Sequence, residues 1–254
     1  VKLDQKPTSP NGLLILYAEQ EGQRFNELII PLQFMEEPDS SASANENDVS
    51  ASLPPAEASY SAQSVRVVDQ RGEDREFAAY FQSLQKAVQD RDVSALKQAM
   101  SPDIFLSCGG QQGYADLEEM WNLRTNPQDS PIWDELEKAL KFGAKKDGEY
   151  FRAPAVELPA NTDEYRARAI VGNNVNVRSA PTMDGKVIEQ VSNLLARMPE
   201  ELTKYDQPGW KAVILPSGEP GFVSEEYVVD PIGYRAVFGK ENGKWTMITW
   251  VAGD

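Results

Sequence analysis

The chain has 254 residues and a mass of 28.2 kDa, which is enough for two small domains joined by linkers. Its net charge of −15 argues against nucleic acid and anionic lipid as partners, because both would be repelled. The sequence has no His and a single Cys, Cys108, which excludes His-dependent catalysis, imidazole metal ligands, intramolecular disulfides and thiolate zinc sites. No apolar run is long enough for a transmembrane helix, so membrane insertion is not predicted. No cofactor is predicted either.

The first 70 residues divide into a predicted hairpin and a predicted linker. Residues 1–35 hold two short apolar runs, at 13–17 and 25–30, around a turn glycine. A lone hairpin is marginal in water, so we expect this piece either to dock on a later domain or to be the tail of an upstream domain. The chain begins with Val rather than Met, and we expect that a leader or upstream sequence was removed. Residues 36–70 are predicted to be a disordered acidic linker, because residues 36–64 carry six acids, no base and little apolar surface.

Residues 71–160 are predicted to form a helix-rich α+β domain. After Asp74 comes a stripe of apolar residues at helical spacing, made of Phe77, Tyr80, Phe81, Leu84 and Val88. Asp92 is a candidate N-cap for a second helix, and residues 104–108 are a candidate strand that ends at two glycines. Ser130 followed by Pro131 predicts the start of another helix, which Gly143 would end.

Residues 161–230 carry a series of short motifs. Residues 171–181 read V-G-N-N-V-N-V-R-S-A-P, an alternating strand pattern closed by a Pro. G-K-V-I follows at 185–188, G-W-K-A-V at 209–213, G-F-V at 221–223 and Y-V-V at 227–229. This series resembles bacterial SH3 domains of the SH3b type. The resemblance implies a small five-stranded β-barrel and no particular activity.

Residues 231–254 are predicted to be a β-hairpin, with apolar runs at 234–238 and 245–251 around a glycine-containing turn. We expect it to pack on residues 71–160, because a hairpin of this kind needs a partner surface. The predicted fold class is therefore α+β: a small SH3-like β-barrel plus a helix-rich α+β domain completed by a C-terminal β-hairpin. The order of elements is loosely similar to the ketosteroid-isomerase-type cone. Residues 74–254 also resemble uncharacterised bacterial SH3 proteins.

The ligand-binding residues that we predict are four aromatic side chains of the SH3-like module: Trp210, Tyr205, Phe222 and Tyr227. Aromatic grooves bind extended peptides well, because stiff rings bury a large area at a low cost in entropy. The SH3b resemblance implies that such a surface recognises a cell-wall peptide or a protein. The alternative is that Trp210 belongs to the core, since it lies on a strand with Ala212 and Ile214.

Other candidate sites have simpler structural interpretations. Cys108 before two glycines is better interpreted as a small buried apolar residue than as a nucleophile. The glycines of residues 109–113 predict a turn, because the Lys and Ser/Thr of a phosphate-binding loop are missing. Adjacent acids, such as Glu118 and Glu119, point apart on a helix. If the cone is correct, Asp103 or Asp116 is a candidate acid for an internal pocket.

Three functional hypotheses remain. The first is a non-catalytic bacterial envelope protein, periplasmic or extracellular, whose SH3-like module recognises a peptide, cell-wall or protein partner. The second is a small-molecule or enzymatic pocket inside the α+β domain; an apolar cavity with one buried acid would favour it, and a packed core would count against it. The third is a structural subunit that docks on an upstream domain through residues 12–34.

Overall fold

The computed structural model describes residues 53–201 and 204–253, together with the backbone of three strands near the amino terminus. The chain divides into two compact units, Val1–Val49 and Ser50–Asp254. The fold belongs to the mixed α+β class, as predicted, and the described residues contain four α-helices. None of these helices is both long enough and apolar enough to cross a membrane.

The first unit is a small antiparallel sheet. Its strands are β1 (Lys2–Leu3), β2 (Leu13–Gln20) and β3 (Gln23–Pro31), paired in that order. The register places Leu14 opposite Ile30 and Leu16 opposite Leu28. The two strands predicted at 13–17 and 25–30 lie within β2 and β3. The part of the predicted linker that precedes residue 53 lies outside the described residues.

The second unit contains what we call the helical unit, residues 66–157 and 234–253. Its helices are α1 (Arg75–Gln89), α2 (Val93–Ala99), α3 (Gly113–Met120) and α4 (Ile132–Lys141). Its strands before the insertion are β4 (Arg66–Val67), β5 (Met100–Phe105), β6 (Lys145–Asp147), β7 (Tyr150–Ala153) and β8 (Val156–Glu157).

The predicted N-cap Asp92 is confirmed, and Asp74, which precedes the predicted stripe, caps α1 in the same way. The Asp74 side chain accepts a hydrogen bond from the Phe77 amide, and Asp92 accepts one from the Ala95 amide. Each carboxylate satisfies an amide that the first turn leaves without an intrahelical partner. α1 and α2 therefore begin where the sequence places an acid before apolar residues at helical spacing.

An inserted sheet unit, residues 164–230, interrupts the helical unit. Its strands are β9 (Ala167–Ile170), β10 (Val175–Arg178), β11 (Val187–Val191), β12 (Leu194–Arg197), β13 (Trp210–Ile214), β14 (Pro220–Ser224) and β15 (Val228–Val229). The chain then returns to the helical unit with the hairpin of β16 (Arg235–Glu241) and β17 (Lys244–Val251).

The returning hairpin supplies two strands of a five-stranded sheet, in the order β5-β17-β16-β7-β6. β17 pairs in parallel with β5, and β16 pairs antiparallel with β7. Side chains of this sheet and of the helices form one buried cluster, whose largest members include Phe77, Phe81, Trp133, Phe151, Phe238 and Trp250. The hairpin is thus an integral part of the core of the helical unit.

The inserted sheet unit forms an open sheet, in the order β11-β10-β14-β13-β12-β9-β15. The five-stranded closed barrel that the SH3b resemblance implies is therefore not seen in the strand pairing. Among the described strands, β11 and β15 are the two edges of this order, and they do not pair with each other. Within the sheet, β12 and β13 pair only at Arg197 and Ile214. Over the rest of its length, β12 pairs with β9 on one side and diverges from β13 on the other.

Residues 53–70 correct the prediction of a disordered linker over 36–70. Val65 is 2% exposed, and β4 pairs with β8. The stretch is polar on average, but a polar stretch can be ordered when its backbone hydrogen bonds are made to neighbouring elements. Here those elements belong to both the inserted sheet unit and the helical unit.

Candidate functional site

The four predicted aromatic residues do not form a common groove. Phe222 is fully buried on β14, where it lies opposite Arg178 and Ala212, so it cannot line a surface. Trp210 and Tyr205 are half-buried, and Tyr227 is 36% exposed. Among the described residues, no two of these four rings stack or meet edge to edge. β14 is covered on both faces, since Phe222 and its neighbour Val223 are both fully buried, and this explains why Phe222 does not reach the surface.

The inserted sheet unit instead holds an extended piece of its own chain, residues 57–65, which we call the docked segment. Its first half crosses the turn between β13 and β14. The Glu57 amide donates to the Gly218 carbonyl at 3.0 Å, and the Tyr60 amide donates to the Pro216 carbonyl at 2.9 Å. These bonds are made by the backbone, so they depend little on side-chain identity.

The second half of the docked segment fills the space that β13 leaves beside β12. The Leu195 amide donates to the Gln63 carbonyl at 2.9 Å, and the Val65 amide donates to the Asn193 carbonyl at 2.9 Å. Ser64 forms an antiparallel bridge with Leu194. The second half of the docked segment therefore acts as an added strand on β12, beside its single pair with β13.

Tyr60 and Glu57 are the side chains that fix the docked segment laterally. The Tyr60 hydroxyl donates to the Ile214 carbonyl at 2.7 Å, and the Arg197 guanidinium lies 4.0 Å from the centre of the Tyr60 ring. Burial raises the pKa of Tyr60 to about 12, so the phenol remains a donor at neutral pH. Glu57 faces Arg166, with 3.4 Å from the guanidinium to each carboxylate oxygen.

Gly218 sets how closely the docked segment can approach. A Cβ atom at this position would lie 2.1 Å from the Glu57 carbonyl oxygen, well inside van der Waals contact. The residue also has a φ of +87°, a conformation that favours glycine. The contact between the turn and the docked segment therefore requires the absence of a side chain here.

A cavity of about 480 Å³ lies beside the docked segment. Tyr60 and Gln63 line one wall, and Arg166 and Arg197 line another. Asp163, in the turn that precedes β9, also contributes to the lining. The cavity is thus bounded partly by the docked segment and partly by the inserted sheet unit, and it would widen if the segment left.

A buried ionic network lies within the inserted sheet unit. Arg168 is fully buried, and its guanidinium donates to both carboxylate oxygens of Asp206 at 2.7 Å. It also donates to Asp230 at 3.1 Å and to the Ala212 carbonyl. Burial alone would raise the pKa of Asp206, but the hydrogen bonds and charge of Arg168, together with Lys211, hold it below its ordinary value. This network joins β9, β13 and the loop that carries Asp206.

A second cavity, of about 550 Å³, separates α1 and α4 from the turn before β15. Two ion pairs cross it: Lys138 lies 2.6 Å from Glu225, and Lys141 lies 3.6 Å from Glu226. Both lysines already have carboxylate partners, and Val88 and Leu140 supply part of the lining. This cleft is explained by the contact between the helical unit and the inserted sheet unit.

In the described part of the chain, the interior of the helical unit is closely packed, which counts against the internal pocket of the second hypothesis. Phe77 and Phe151 stack with their ring centres 3.8 Å apart, and Trp245 packs edge-on against both. Asp103 is exposed, and Asp116 accepts a hydrogen bond from the Gln112 amide. Neither acid is directed into an apolar cavity, and aromatic rings fill the space between the helices and the sheet.

The remaining candidates are surface features. Cys108 is exposed, which corrects the prediction of a buried apolar residue. Gly110 and Gly113 have positive φ values of 95° and 80°, as expected of a turn. Among the described residues, no cluster of three or more acidic or Cys side chains is placed to hold a metal ion.

No protein-family model matches this chain, and a comparison with curated proteins finds no match either. The functional conclusion therefore depends on the geometry of the chain itself. Sequence reasoning missed the docked segment because only Tyr60 and Val65 interrupt an otherwise small and polar stretch. The one available signal was the alternation of residues 65–68, V-R-V-V, which is typical of a short strand.

Proposed function

We propose that this protein is a non-catalytic binding protein whose inserted sheet unit recognises an extended polypeptide segment of a partner. The observation that supports the proposal is the docked segment, residues 57–65. Its backbone is bonded to the edge of β12 and to the turn after β13. A surface that binds one extended chain through backbone groups offers the same donors and acceptors to another, with side-chain contacts adding specificity.

We also propose that the inserted sheet unit is an SH3-like module of the SH3b type. The order of its motifs supports this assignment, and the space between β12 and β13 would then be the place where the module takes up a peptide. On the resemblance alone, we propose a location outside the cytoplasm, periplasmic or extracellular. The role of residues 12–34 in docking on an upstream domain stays a prediction.

The proposal can be tested by peptide selection on a full-length chain whose docked segment is loosened by Glu57→Ala and Tyr60→Ala. These changes remove the contacts with Arg166 and Arg197 but keep Val65 in the core. Random twelve-residue peptides displayed on phage would be selected on this loosened chain. We expect enriched peptides whose affinity falls at least about tenfold when Arg197 is replaced by Ala, because a cation–π or charge-assisted contact is lost.

The matched control is Arg152→Ala in the same loosened chain. Arg152 is exposed and forms an ion pair only with Asp147 among the described residues, so it should leave peptide binding unchanged. The proposal would be contradicted if the affinity of the enriched peptides did not depend on Arg197, or if a folded loosened chain enriched no peptide. If the same chain co-sediments with purified cell-wall sacculi but binds no peptide, the function would be recognition of the cell wall rather than of a peptide.

A further inference from the structure

The docked segment leaves some hydrogen-bonding groups of its binding face without a well-placed partner. Glu57 reaches Arg166 at 3.4 Å for both oxygens, whereas well-formed charge-assisted hydrogen bonds are about 2.7–2.9 Å long. The Arg166 Nε atom is buried and has no hydrogen-bond partner among the described residues. A carboxylate placed slightly deeper would bond Nε and the terminal nitrogen together, which is the strongest geometry for this pair.

The docked segment also leaves space unfilled beside it and leaves positive charge on its binding face without a full negative counterpart. The cavity of about 480 Å³ lies directly beside Tyr60 and Gln63 and is not filled by the segment. If the docked segment leaves, the cavity lining keeps two guanidinium groups, Arg166 and Arg197, against one carboxylate, Asp163. A face with this balance is unusual on a chain of net charge −15, and it favours an acidic occupant.

We propose that residues 57–65 occupy the binding face in place of an extended acidic peptide from a partner protein, and that this peptide displaces them. The peptide carries an acidic residue and, three positions later, an aromatic residue, the spacing of Glu57 and Tyr60. The acid binds Arg166 and the aromatic ring packs on Arg197. This inference rests on the proposed function and names the partner of the same face.

The tether makes the competition quantitative. A segment joined to its own site has an effective concentration on the order of 1 mM. If the free segment binds its face with a Kd of roughly 100 µM, the tethered segment occupies the face about ten times more often than not. A competing peptide then binds the wild-type chain about tenfold more weakly than a chain whose segment is loosened.

The test uses a fluorescently labelled synthetic peptide of residues 53–64 and measures its binding by fluorescence anisotropy. We expect the loosened chain, Glu57→Ala with Tyr60→Ala, to bind this peptide at least about tenfold more tightly than the wild-type chain. The control chain carries Ser59→Ala, a change at an exposed side chain without hydrogen bonds among the described residues, and it should behave as the wild type. A peptide that carries the Tyr60→Ala change should lose binding to the loosened chain.

A second measurement avoids dependence on the stability of the variant. Amide exchange of the wild-type chain would be followed with the unlabelled peptide at millimolar concentration. Displacement should remove the protection of the Glu57 and Tyr60 amides and leave the Leu195 amide protected, because the incoming peptide replaces its acceptor. No change in exchange together with no binding by a folded loosened chain would overturn the inference.

The two proposals fail in different ways. If phage peptides bind the loosened chain through Arg197 but the peptide of residues 53–64 neither binds nor competes, the proposed function stands and this inference is wrong. If the wild-type and loosened chains bind the phage peptides with equal affinity, the docked segment does not compete for the binding face, and this inference is wrong. If neither chain binds any peptide, both proposals are wrong.

Discussion

Arg168 shows how a single residue can fix the inserted sheet unit. A fully buried guanidinium is tolerated only when its donors are satisfied, and here two carboxylates and a backbone carbonyl accept from it. Replacing one partner of such a pair leaves the other as an uncompensated charge in a poorly hydrated place. The network therefore specifies where the loop of Asp206 must lie against β13.

The first prediction concerns this network. Arg168→Met should lower the free energy of unfolding by about 3–5 kcal/mol, because Asp206 and Asp230 lose the guanidinium that they share and keep only Lys211 as a nearby cation. Arg152→Met removes an exposed pair and should change it by less than about 1 kcal/mol. Urea unfolding at neutral pH measures both. Equal effects of the two substitutions would mean that the Arg168 network contributes nothing special.

The second prediction follows from the lowered pKa of Asp206. Because the folded pKa lies below the unfolded value of 3.8, the stabilisation is complete above that value and is lost as the pH falls through the folded pKa. Asp206→Asn should therefore narrow the stability difference between pH 6 and pH 3. Denaturant titrations at the two pH values test this, and an unchanged difference would contradict it.

At the scale of elements, the helices begin where local chemistry dictates. Asp74 caps α1 in an extended conformation, and its hydrogen bond from the Phe77 amide lowers its own pKa despite some opposing desolvation. The interaction is local in sequence, which is why it can be predicted from a short pattern. The pairing of β12 with its neighbours is the opposite case, since its partners lie far away along the chain.

The third prediction concerns the α1 cap. Asp74→Ala should destabilise the chain by about 1 kcal/mol, because the amide of the first turn loses its acceptor. Asp90→Ala, at the other end of the same helix, removes an exposed ion pair with Lys86 and an acid from the negative end of the helix dipole. It should be neutral or slightly stabilising in the same urea titration. A larger loss for Asp90→Ala than for Asp74→Ala would contradict the capping argument.

At the scale of the whole molecule, Val65 links the two parts of the second unit. It packs in a small core with Ala169 and Leu195 of the inserted sheet unit, and Phe142 and Val156 flank the same core from the helical unit. Residues just after it continue into β4, which pairs with β8. The stretch that reads as a linker is therefore a structural joint between the two parts.

The fourth prediction is that the joint makes unfolding cooperative. Val65→Ala should lower the free energy of unfolding by about 1.5–3 kcal/mol, because a buried apolar side chain is truncated. Val67→Ala, two residues on and 41% exposed, should cost less than about 0.5 kcal/mol. For Val65→Ala, the free energy of opening measured by amide exchange should fall by the same amount in α1 and in β13. A shift confined to β13 would mean that the two parts unfold separately.

The sequence was informative where the causes of structure are local. The Asp92 cap, the stripe from Phe77 to Val88 and the mixed α+β class all follow from spacing and propensity. The occupant of the gap beside β12 depends instead on contacts between residues more than 100 positions apart, such as Gln63 with Leu195. The burial of Phe222 likewise depends on distant elements, because both faces of β14 are covered.

The missing side chain at Gly218 has a consequence for how this protein can change over generations. A glycine codon becomes an alanine codon through one nucleotide substitution, and the added methyl group would collide with the carbonyl of Glu57. Such a variant would push the first half of the docked segment away from this turn without touching Arg166 or Arg197. On the proposed function, one mutational step would thus shift a lineage toward a more open binding face, and the reverse step would restore the occupied one.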